Sequence, residues 1–61
     1  MDIKQAIQII NDKRAIYGMS MLDMAIVMKE MLENGELDNR DAAAILLFMR
    51  EGRKMFAPVG A

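Results

Sequence analysis

Cysteine, histidine, threonine and tryptophan are all absent from this 61-residue chain. Without cysteine there is no disulfide, and without histidine too there is no zinc site that needs a thiolate or imidazole. The same absences remove the thiol nucleophile and the imidazole base on which much hydrolytic chemistry depends. Serine and tyrosine occur once each, as Ser20 and Tyr17, and the single proline is Pro58, close to the C-terminus. Charge of one sign is also lacking. A formal net charge of −1 gives no global field to attract nucleic acid or an anionic membrane. No apolar run approaches the roughly 20 residues of a membrane span, and the opening Met-Asp-Ile-Lys does not read as a signal peptide. The expected setting is the cytoplasm, with which a lack of cysteine is compatible.

What is present is apolar and helical in rhythm. Hydrophobic residues make up 54% of the chain, and eight of them are methionine. A domain of about 60 residues buries only about 60% of its unfolded surface and is marginal alone. Small scaffolds usually add disulfides, a metal or oligomerisation, and only the last is open to this sequence. Self-association, most simply as a dimer, is therefore expected.

The chain is organised around Asp38 to Gly52, centred on the apolar run from Ala42 to Met49. Its three alanines favour helix over strand. Asp38 can cap the first turn, Asp41 complements the dipole there, Arg50 suits the last turn, and Gly52 suits the residue after it. Eight consecutive apolar residues cannot share one face, so this helix is expected to be covered all round, and Leu46 and Phe48 to be intolerant of charge. Upstream, Asp2 with Gln5 predicts a first helix with Ile3, Ala6, Ile7 and Ile10 as its buried stripe and Ile9 off it. That helix should end between Lys13 and Gly18. Ser20 opens a second helix that Gly35, after Asn34, ends. Met21, Met24, Ala25, Val27, Met28, Met31 and Leu32 fill one arc of about 160° at 100° per residue. Leu22 and Ile26 fall outside that arc, one turn apart, beside Lys29 and Glu33. The fold class is thus all-α: a small three-helix bundle with a short C-terminal extension, a single domain over 1–57 and a flexible tail over 58–61.

Asn34-Gly35-Glu36-Leu37, followed by Ala43-Ala44-Ile45-Leu46 and Met49-Arg50, resembles the small helical N-terminal domain of anthranilate phosphoribosyltransferase and its nucleoside phosphorylase relatives. Asp2-Ile3-Lys4-Gln5-Ala6-Ile7 and Val27-Met28 fit the same frame, so the likeness spans most of the chain. The resemblance implies helical packing, self-association and a place as a subunit of a larger transferase-like complex. The large domain with the family's phosphate-binding glycine loop has no counterpart here. Met55-Phe56-Ala57-Pro58 also departs from the polar stretch usual after the glycine, and no catalytic residue carries over.

Catalysis needs a nucleophile or an acid–base pair in a water-poor cleft. Ser20 is better explained as a helix cap and Tyr17 as a boundary side chain, so no enzyme is expected. Glu30, Glu33, Glu36, Asp38 and Asp41 lack the alternating ligand spacing of a calcium loop and read as a solvated acidic end. Gly35 stands alone and makes no phosphate cradle. No catalytic, metal or cofactor site is assigned. The central helix offers Ala, Ile, Leu, Phe and Met where base edges need Arg, Asn or Gln, which disfavours nucleic acid. Methionine fills irregular cores and also populates adaptable binding surfaces.

These features point to a non-enzymatic protein–protein interaction module: a regulator, inhibitor or assembly factor of the kind phages and mobile elements encode. Its partner is a protein that the residues do not name, and its contact residues are Leu22, Ile26, Lys29 and Glu33. One alternative is a dimeric nucleic-acid-binding regulator that uses the basic patch Arg50, Arg53 and Lys54. The other is the transferase-like subunit.

Overall fold

The capping residues set the helices. In the computed structural model, which describes residues 1–52, the Asp2 carboxylate accepts from the Gln5 backbone N–H at 2.8 Å. The Gln5 side chain returns the contact to the Asp2 N–H at 2.9 Å. This reciprocal box starts α1, Ile3–Tyr17. Gly18, with φ of 70°, takes the left-handed turn that ends it. The Ser20 hydroxyl accepts from the Asp23 N–H at 3.1 Å and opens α2, Met21–Glu33. Asn34 and Gly35, the latter at φ 71°, close that helix. Asp38 accepts from the Asp41 N–H at 2.8 Å and opens α3, Asn39–Leu47.

The described residues form an all-α three-helix bundle without strands. Ile10, Met24, Met28 and Ile45 are its largest fully buried side chains. They form one cluster with Ala25, against which Met21, Val27, Leu32, Leu37, Phe48 and Met49 pack. A second cluster joins α1 to α3 through Ala6, Ile9 and Ala44, flanked by Ile3 and Leu47. The methionines of α2 thus serve mainly as core: Met24 and Met28 are sealed from solvent. No described helix is long and apolar enough to cross a membrane.

Three expectations need correction. The buried stripe of α1 runs through Ala6, Ile9 and Ile10, while Ile7 is only partly covered. Two alanines, Ala6 and Ala44, allow α1 and α3 to approach closely, and Ile9 is the neighbour that fills the contact. The central helix is not covered all round within one chain. Ala44 and Ile45 are buried, but Ala43 is exposed and Leu46 is 52% exposed, because among the described residues the helices packed on α3 are α1 and α2, and they cover one side of it. Finally, the α-helix stops at Leu47 and continues as a π-helical turn over Phe48–Gly52. Gly52 is not a left-handed cap but a buried residue under the Phe48 ring. A Cβ there would lie 2.8 Å from the ring's Cδ1, so this close packing requires glycine. The boundary between 57 and 58, and Phe56 as a last ordered side chain, lie outside the described residues.

Candidate interaction surface

Side chains that sequence patterning left outside the core stand out in solvent. Leu22 is 69% exposed and Ile26 50% exposed on the outer side of α2. Lys29 and Glu33 are exposed as well, and at 100° per residue the four lie within about 60° of one another. Leu22 and Ile26, one turn apart, make a continuous apolar ridge. Exposed Asp23 and Glu30 border it on one side and Glu33 extends its line. The charged residues of α2 are three carboxylates and one lysine, so the ridge is rimmed mainly by acid.

A different surface lies on α3. Ala43, Leu46, Leu47, Met49 and Arg50, together with Met1, line an open depression. A neighbouring one is lined by Met1, Gln5, Gln8, Ile9 and Arg40. Arg40 and Arg50 are both exposed, and no carboxylate is among the described residues lining either depression. This groove was not anticipated from sequence. It exists because Leu46 and Ala43 turn outward from a helix whose composition alone reads as buried.

The proposed basic patch is only partly described: Arg50 is exposed, and Arg53 and Lys54 lie outside the described residues. Lys13 and Arg14, the other basic pair, are engaged locally. The Lys13 ammonium donates to an Asp41 oxygen at 2.7 Å, tying the end of α1 to the start of α3. That hydrogen bond raises the Lys13 pKa above its ordinary value of 10.5, against the opposing effect of desolvation. The ammonium also stands 6.0 Å from the centre of the Tyr17 ring. Arg14 donates through Nε to the Asn11 side-chain oxygen Oδ1 at 2.9 Å. Asp41 therefore closes a structural ion pair as well as standing in the first turn of α3.

Ser20 is a helix cap in the structure, and Tyr17 is half exposed at the end of α1. Among the described residues no group of three or more carboxylates is placed to hold a metal ion. Comparison of the chain with family models, with curated proteins and with solved structures gives no match in any of the three. The likeness to the transferase N-terminal domain therefore rests on the residues quoted for it.

Proposed function

We propose that this chain is a non-enzymatic interaction module that self-associates and regulates, inhibits or helps assemble another protein by direct contact. The observation that carries the reading is the Leu22–Ile26 ridge, which the bundle leaves in water although its core has several other apolar side chains to draw on. Single exposed apolar residues are ordinary, but two that are adjacent on one helix face and bordered by charge have the make-up of a contact surface. Self-association is supported by size, since a chain of 61 residues without disulfides gains much of its missing burial from a second copy. The non-enzymatic reading is supported by the residue inventory: the single serine hydroxyl is occupied as a cap, and no imidazole or thiol is available. A cytoplasmic setting suits a chain without cysteine.

The experiment is a double variant, Leu22→Glu with Ile26→Glu, compared with the parent by light scattering behind size exclusion. The parent is expected to elute as more than one chain and the variant as a single helical chain of unchanged circular dichroism. A variant that keeps the parent's mass would remove α2 from the contact.

A further inference from the structure

We infer that the contact between copies is head-to-tail: the Leu22–Ile26 ridge of one copy seats in the groove beside α3 of the next. The inference rests on the self-association proposed above and specifies its geometry. The two surfaces are complementary in apolar character, since the ridge projects two branched side chains and the groove offers Met1, Ala43, Leu46, Leu47 and Met49. They are also complementary in charge. Asp23 and Glu30 border the ridge on one side and Glu33 extends its line, with only Lys29 opposing them, whereas Arg40 and Arg50 border the groove and its neighbour and no carboxylate is among the described residues lining either. Packing ridge against ridge about a two-fold axis would instead bring together two rims of the same negative sign, and like charges across a contact are unfavourable. Because ridge and groove are different patches, the contact is heterologous. Such a contact repeats into a ring if the rotation closes and an open chain if it does not.

The arrangement has a test that a symmetric contact fails. One variant, Leu22→Glu with Ile26→Glu, destroys the ridge and keeps the groove. Another, Leu46→Glu, damages the groove and keeps the ridge. A third, Arg40→Glu with Arg50→Glu, alters only exposed charges and so spares the core. Each is followed by sedimentation velocity of the full chain, alone and in equimolar mixture. Each variant alone should sediment as one chain, and ridge variant mixed with either groove variant should give a 1:1 pair that grows no further. The unmodified chain should assemble beyond two copies, and its assembly should weaken between about 0.05 and 0.5 M salt as opposite charges are screened. If both groove variants assemble as the parent does while the ridge variant is monomeric, the contact is symmetric: head-to-tail packing is then wrong, and self-association through α2 stands. Assembly that strengthens with salt overturns the charge pairing in the same way. A parent chain that stays monomeric throughout overturns both.

Discussion

Ile10 and Ile16 lie on the same helix, yet the bundle treats them oppositely: Ile10 is 0% exposed and Ile16 is 82% exposed. Replacing each by alanine removes the same atoms, so any difference in cost reports burial. At Ile10 the loss is of side-chain transfer plus the cavity left among Met24, Met28 and Ile45, about 2–5 kcal/mol. A chain of 61 residues has a total stability of roughly 3–9 kcal/mol, so this one change consumes a large share of it. At Ile16 less than a fifth of the side chain is covered. Full burial of such a side chain is worth about 1.5–3 kcal/mol, so the loss is about 0.5 kcal/mol at most, offset by the better helix propensity of alanine. Urea unfolding followed by circular dichroism at low micromolar concentration separates the two. With a slope near 1 kcal/mol per molar, the Ile10→Ala midpoint should fall by about 2 M or more, and Ile16→Ala should scarcely move. Equal shifts, or a larger one at Ile16, would refute the burial pattern on which the fold rests.

Four further outcomes are expected. Ser20→Ala and Asp38→Ala should each cost about 0.5–2 kcal/mol in thermal or urea unfolding, because each leaves an N–H of the first turn unsatisfied. Gly52→Ala should cost about 1–2 kcal/mol by the same measurement, since the contact with the Phe48 ring outweighs the gain in backbone rigidity. Leu46→Asp should retain native circular dichroism, because this half-exposed position keeps its charge in water. For Lys13, the folded-state pKa lies above 10.5, so its contribution is fully present below that pH and is lost as pH rises through the raised value. The difference in melting temperature between the parent and Lys13→Met should therefore be largest at neutral pH and shrink as the pH is raised beyond 10.5.

The helix starts were legible because their signals are local. Asp2, Ser20 and Asp38 each bond to an N–H three residues on, and nothing distant enters. The methionine arc of α2 and the exposed pair Leu22 and Ile26 were legible for a similar reason, since one helical period fixes which residues share a face. The exchange of Ile7 for Ile9 was not, because the phase of the α1 stripe depends on where Ala6 meets Ala44, a contact set by how two helices cross. The Lys13–Asp41 pair joins residues 28 apart in sequence, each of which already has a local explanation at a helix end. The π-turn brings the Phe48 ring against Gly52, and a glycine after an apolar run reads equally well as an ordinary helix cap. The groove beside α3 escaped for the same underlying reason. Composition marks Leu46 as apolar, but a three-helix bundle has too few neighbours to cover every side of its central helix.

The central claim is that the Leu22–Ile26 face is a contact between chains, and sedimentation equilibrium of the unmodified protein tests it most directly. At tens of micromolar the weight-average mass should exceed that of one chain and rise with concentration. A mass equal to the single chain's 6.9 kDa across that range would contradict it.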